Sequence, residues 1–201
     1  SGNYDGQSNS INFLTIINKD RSALGLFGIV ENTSLANIIL KSPKVLGLTD
    51  IGSLVATGKG MTIKNCIAIN GEVIANGVSG GLIGSISENG FEGGYGANVD
   101  DSEGYRQSGY LEDCHFTGSV TGQTTGGLLG TGVKVTIWKS STHVSVMQSE
   151  TPFSANEANS VAGGLAGILW FPGVGESFSI GNIVHKGLTG ALIGESNTGF
   201  L

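Results

Sequence analysis

The side chains able to do chemistry in this sequence are few, and most of them are scattered. The three histidines, His115, His143 and His185, fall one, three and four residues after a recurring small residue, so they need not share a face. A Ser/His/Asp arrangement stays open in so Ser-rich a chain, but no Gly-x-Ser-x-Gly elbow is present, and scattered surface histidines are the expectation. Cys66 and Cys114 form no Cys-x-x-Cys or Cys/His cluster, so no zinc site is indicated and no metal or other cofactor is expected. The Gly-rich segments lack a Gly-Lys-Ser/Thr phosphate loop.

One segment concentrates polar chemistry. Between Glu88 and Asp113 lie seven carboxylates (Glu88, Glu92, Asp100, Asp101, Glu103, Glu112 and Asp113) against Arg106 alone. Its charge of −6 equals that of the whole protein, so the remainder sums to zero. Phe91, Tyr95, Tyr105 and Tyr110 accompany them. Tyr rings can stack on sugars or fill a protein pocket, and carboxylates can accept sugar hydroxyls or hold Ca²⁺. The spacing Asp100-Asp101-x-Glu103 does not fit an EF-hand loop. The ligand-binding candidates are therefore Tyr95, Asp100, Asp101, Glu103, Tyr105 and Arg106, with a solvated flap as the other reading of the same segment.

Composition narrows what must position such a loop. The chain has 201 residues, 35 of them Gly, about 17% against roughly 7% in ordinary proteins. The glycines do not recur every third residue and Pro numbers only 3, which excludes collagen. A 39% hydrophobic content argues against disorder. No apolar run approaches the ~20 residues of a membrane-spanning helix. A net charge of −6 without clustered Lys and Arg argues against a nucleic-acid partner.

A repeat organises the chain. Gly-Gly-Leu-hydrophobic-Gly or a close variant recurs around Leu26, Leu54, Leu82, Leu128, Leu165 and Leu192, at spacings of 28, 28, 46, 37 and 27. The two long intervals are the same unit carrying insertions, near 88–110 and 148–160. A second pattern, apolar-x-x-small, follows at Leu35, Ile63, Leu111, Ile137 and Phe178. Its alternation signals strands, whereas Gly every few residues costs up to ~1 kcal/mol each in a helix. Units of this size cannot bury their own apolar face and must stack. The fold expected is all-β: a right-handed parallel β-helix of about six coils with two loop insertions, one domain over 1–201. The glycines are expected to supply either positive φ or room for a tight corner. Cys66 and Cys114 should sit in one column on consecutive coils, as buried thiols or as a strained disulfide. Leu169-Trp170-Phe171-Pro172 is expected to fold back over the core. No lid for either end of the stack is legible, so the chain reads as a piece of a longer protein or a member of an oligomer.

Gly80-Gly81-Leu82-Ile83-Gly84 and Ile63-Lys64-Asn65-Cys66-Ile67-Ala68 resemble the two halves of the GLUG motif of bacterial surface and secreted proteins. The resemblance covers nearly all of the chain outside the insertions. It implies a β-helical stalk or platform, as in filamentous-haemagglutinin-like adhesins and the non-catalytic N-terminal regions of immunoglobulin-A-cleaving metalloproteases. It also implies secretion or cell-surface attachment. The expectation is a non-enzymatic adhesin-type module whose loops bind a host surface glycan or protein. The alternative is a structural spacer in a larger secreted enzyme, which would contact other domains of its own chain. A polysaccharide lyase or hydrolase ranks third, since no carboxylate ladder lines the coils.

Overall fold

The computed structural model describes residues 2–87, 107–150 and 160–197. Within them the chain makes strands and turns and no helix, so no helix long and apolar enough to cross a membrane is present among the described residues. The first circuit comprises β1 (Gly2–Asp5), β2 (Ser10–Asn12), β3 (Thr15–Ile17) and β4 (Phe27–Glu31). The second comprises β5 (Thr33–Ala36), β6 (Ile39–Lys41), β7 (Lys44–Gly47), β8 (Ile51–Gly52) and β9 (Val55–Lys59). The third runs through β10 (Met61–Lys64), β11 (Ile67–Ala75), β12 (Val78–Gly80) and β13 (Ile83–Ile86). The fourth has β14 (Gly109–Glu112), β15 (His115–Gly122), β16 (Thr124–Gly126) and β17 (Leu129–Val133). The fifth has β18 (Val135–Trp138), β19 (Ser141–Gln148), β20 (Val161–Gly163) and β21 (Ala166–Trp170). The sixth has β22 (Gly173–Gly175), β23 (Phe178–Val184), β24 (Leu188–Gly190) and β25 (Ile193–Asn197).

The second to sixth circuits visit the same four sheets in the same order. The first circuit has strands in three of them and only the bridge Leu24–Ile51 at the other. Consecutive circuits pair in parallel throughout the described residues. This is the connectivity that a parallel β-helix requires. The repeat leucines form one column, with Leu54 N donating to Leu82 O (2.9 Å), Leu82 N to Leu128 O (3.0 Å) and Leu128 N to Leu165 O (2.8 Å). Leu54, Leu82, Leu128 and Leu165 are fully buried; Leu26 and Leu192, in the end circuits, are half-buried.

The second column needs one correction. Leu35, Ile63, Leu111 and Ile137 are in register, but the next member is Val174, not Phe178. Phe178 pairs with Ser141 in the neighbouring sheet and is exposed. The small-residue position then runs Cys66, Cys114, Ser140, Ser177, and its chemistry explains the preference. Cys66 Sγ, Cys114 Sγ, Ser140 Oγ and Ser177 Oγ each donate to the carbonyl two residues earlier, at 3.3, 3.4, 2.9 and 2.8 Å. Each such bond closes a turn whose central residue (Asn65, Asp113, Lys139 or Glu176) has φ between 47° and 52°. Asn and Asp tolerate that region best, and Lys or Glu there is strained by about 1 kcal/mol or more.

The glycines of the leucine repeat serve close approach, not positive φ. Among the described glycines only Gly60, Gly118 and Gly181 have φ in the left-handed region. At Gly126, a Cβ would instead coincide with the Leu129 carbonyl oxygen and lie 2.7 Å from Gly167 N. The backbone at the corner between the third and fourth sheets therefore leaves no room for a side chain at Gly126.

Among the described residues, one buried side-chain polar atom lacks a partner: Thr125 Oγ1, on β16. An unmet buried hydroxyl costs about 1–3 kcal/mol, and a methyl of the same shape does not. Thr125→Val is expected to raise stability by about 1 kcal/mol in a denaturant titration.

Candidate functional site

The two insertions leave the stack without disturbing it. At the first, Ser87 N donates to Gly58 O (3.0 Å) on the way out, and Met61 N donates to Ser108 O (3.2 Å) on the way back. The segment thus opens at the corner that Lys59 and Gly60 span in the circuit below. At the second, Ser149 N donates to Gly122 O (3.0 Å) and Val161 N to Gln123 O (3.1 Å). The two ends of that insertion are fixed on carbonyls of adjacent residues.

Tyr95, Asp100, Asp101, Glu103, Tyr105 and Arg106 lie outside the described residues. The structure does redraw the segment that holds them. Tyr110 and Glu112 belong to β14, and Asp113 forms its following turn, so these three are scaffold and not loop. The signal for this was already in the sequence, because Leu111-Glu112-Asp113-Cys114 also fits the apolar-x-x-small pattern.

β14 and its neighbours make an outward patch beside the root of the first insertion. Lys64 Nζ meets Glu112 Oε2 at 2.8 Å and stands 5.3 Å from the Tyr110 ring centre. The hydrogen bond with Lys64 holds the Glu112 carboxyl below its usual range, and the same bond with Glu112 raises the Lys64 ammonium. On the next circuit the Trp138 ring lies across Gly175, where a Cβ would overlap it. Lys64, Glu112 and Trp138 hold the same place in the apolar-x-x-small pattern, and strand register stacks them on this face.

The remaining reactive side chains do not converge. His115 Nδ1 lies 2.8 Å from Ser141 Oγ, a contact between half-buried groups on adjacent strands. His143 pairs across to Thr117 and Ile180 in a different column. No group of three or more His, Cys, Asp or Glu able to hold a metal is present among the described residues.

Cys66 and Cys114 are buried free thiols. Burial pushes the Cys66 thiol up to about 11 and raises Cys114 further, again through burial first and then the neighbouring Cys66. Thiolate, not thiol, is the nucleophile. The native protein is therefore expected to resist an alkylating reagent at pH ~8, and to take up two equivalents once denatured, as counted by mass spectrometry.

His185 ties three circuits together. Gly187 N donates to its Nδ1 (3.3 Å), which places the proton on Nε2, and Nε2 donates to Gln123 O (3.1 Å) two circuits away. Lys186 N donates to Gln148 Oε1 (2.9 Å) of the circuit between. Burial lowers the His185 pKa from its ordinary value, more than the Gln123 and Gly122 carbonyls raise it. A lowered folded-state value means that the clip contributes fully above the unfolded pKa of ~6.5 and is lost as pH falls through the folded value. The melting temperature is expected to fall as the pH drops below ~6.5, and His185→Gln should flatten that dependence.

No family model matches the chain. It is 33% identical over 90 residues to halomucin of Haloquadratum walsbyi, a match covering 44% of this chain and 1% of that protein. Its structure superposes with a TM-score of 0.63 on the crystal structure of a "putative immunoglobulin A1 protease" from Bacteroides ovatus, at 18% identity. The likeness is one of fold. It spans 96% of this chain but 58% of the Bacteroides ovatus chain, so the neighbour contains substantial structure with no counterpart here. Leu169 and Pro172 are buried, and Trp170 and Phe171 are half-buried. That apolar run closes a corner of the fifth circuit and forms no projecting tip.

Proposed function

We propose that this chain is a right-handed parallel β-helical module of a larger secreted or surface-exposed bacterial protein, built from GLUG-type repeats. It is non-catalytic, and it spaces and orients the domain that adjoins it. The observation carrying this reading is the near-complete likeness of the chain to just over half of the Bacteroides ovatus protein. Right-handedness follows from the strong preference of parallel crossovers for that hand. The partial identity to halomucin supports an extracellular setting. Rigidity comes from four ladders of parallel hydrogen bonds around one apolar core, a surface that offers proteases few open segments.

The second reading is an adhesin-type module, favoured by the acidic, Tyr-rich segment rooted between Ser87 and Ser108. One experiment separates the two. The chain and a variant lacking 88–106 are compared on a glycan array and on host cells, with and without Ca²⁺. The deletion stops short of β14, so that Tyr110, Leu111 and Glu112 keep their strand. A spacer predicts no ligand for either folded protein. Binding that disappears with 88–106 overturns the spacer reading and establishes recognition of a host glycan or protein.

A further inference from the structure

The outer face of the first sheet carries a patch that the fold itself does not need. Side chains stack there in two columns: Ser34, Thr62, Tyr110 and Thr136 in one, and Ala36, Lys64, Glu112, Trp138 and Gly175 in the other. Among the described residues, only the fourth and fifth circuits set an aromatic ring on this face, and the other circuits pair in the same register without one. Gly175 leaves free the space that the Trp138 ring occupies, since a Cβ there would overlap Cζ3 and Cε3. The ring is thus laid across the sheet onto the neighbouring strand. Lys64 is fixed at two points, on Glu112 Oε2 at 2.8 Å and against the Tyr110 ring at 5.3 Å from its centre. The Lys64 and Glu112 side chains nonetheless stay 47% and 24% exposed. The bond between them uses one ammonium hydrogen and one carboxylate lone pair, so further donors and acceptors stand open side by side. Lys64 also faces Asp113, and Glu112 also faces Lys139, so two cations and two carboxylates cancel.

We propose that this patch binds a neutral polysaccharide, with a pyranose ring on Trp138 and a pair of adjacent hydroxyls bridging Lys64 and Glu112. A pyranose presents an apolar C–H face and a rim of hydroxyls, and an aromatic ring beside a donor–acceptor pair answers both. One hydroxyl accepts from the Lys64 ammonium and its neighbour donates to the Glu112 carboxylate, each bond being charge-assisted. Other partners fit less well. An apolar peptide would strip water from the ion pair and return no hydrogen bonds. A polyanion would meet a carboxylate for every cation. The two-point hold on Lys64 and the laid-down Trp138 also leave little side-chain freedom to lose on binding. From β10 to β22 the strip measures about 14 Å, or three strand spacings, which is longer than one sugar ring and suits a chain of them. The site belongs to the wall and owes nothing to the segment 88–106. It adds a ligand to a module otherwise read as a spacer.

The test is native electrophoresis of the chain through gels cast with a neutral β-glucan, xylan or galactomannan, beside gels cast with polygalacturonate. The expected result is slowed migration in at least one neutral gel, and little or none in polygalacturonate. No slowing in any neutral gel overturns the proposal and leaves the spacer reading standing. Slowing by polygalacturonate as strong as by any neutral polymer overturns it as well. Trp138→Ala should abolish the effect, and slowing that survives it overturns the site. Trp170 is then the only tryptophan, and an emission maximum typical of its half-buried place shows that this variant is folded. Lys64→Met, which keeps the stem and removes the donors, should raise the polymer concentration needed about tenfold. Ser34→Ala, on the same face but one circuit outside the patch, should change nothing. A variant lacking 88–106 should still be slowed; loss of the effect in that variant would assign the ligand to the acidic segment and overturn the wall site.

Discussion

Gly126→Ala is expected to cost about 4 kcal/mol or more, enough to leave the chain unfolded or confined to inclusion bodies. The added methyl would coincide with the Leu129 carbonyl oxygen and crowd Gly167 N, and both obstacles are backbone. No rotamer change relieves them. The Leu129 carbonyl can move only if the corner between β16 and β17 opens, which would pull Leu128 out of its column. Gly28→Ala is the control. It stands beside the repeat leucine of the first circuit, yet its Cβ would meet only Ala23 O, at 3.5 Å. That is ordinary contact, and the change should lie within about 0.5 kcal/mol of the parent. Urea titrations of the two proteins check the contrast. Similar losses at both sites would mean that backbone conformation, not clearance, selects glycine in this repeat.

Phe116→Ala should be the most costly of the side-chain truncations, at about 3–5 kcal/mol. Phe116 is the largest fully buried side chain among the described residues. Its column neighbours are Ala68 below and Thr142 above, both smaller, so one ring fills space that three circuits leave open. It presses against two glycines. A Cβ at Gly81 would overlap the ring, and one at Gly71 would stand 2.6 Å from its Cε2. The Gly71 obstacle consists of side-chain atoms alone, Phe116 first and then Pro43 at 3.4 Å. Gly71→Ala should therefore cost about 1–3 kcal/mol on its own through overpacking. In the Phe116→Ala background it should cost nothing or restore some stability, giving a coupling of at least 1 kcal/mol in a double-mutant cycle. Additive effects would show that the ring and Gly71 do not compete for the same space.

Much of the architecture is written in the leucines. Their spacing of about 28 predicts six stacked units, and the six circuits carry one repeat leucine each. The second column is legible for four circuits and then slips by four residues, to Phe178 in place of Val174. The reason is local: Val174 sits between Gly173 and Gly175, and Phe178 is the larger apolar residue nearby. Register across the Phe171-Pro172 corner is set by partners 37 residues away in sequence, such as Ser140 N on Ser177 Oγ. The purpose of the glycines is not legible either. Positive φ and steric exclusion both select Gly, and only the distance to a neighbouring carbonyl tells them apart. At the candidate site, composition marks the segment rich in acid and tyrosine, while the apolar-x-x-small pattern at Leu111-Glu112-Asp113-Cys114 marks its last residues as wall, which the pairing of β14 bears out. The column Lys64, Glu112, Trp138 follows from the repeat, since each holds its second place, but the identity of those side chains is irregular and carries no motif of its own.

The anchoring of the second insertion on two adjacent carbonyls, Gly122 O and Gln123 O, has an evolutionary consequence. Such a corner behaves as a cassette. Whatever lies between Ser149 and Val161 can lengthen, shorten or change character while its ends stay fixed, because doubling a flexible loop adds only about 0.6 kcal/mol of closure entropy. The stack and its surface segments can then diverge at different rates. The columns are held to a narrow alphabet by packing, and the corners are free to vary with whatever each protein must meet.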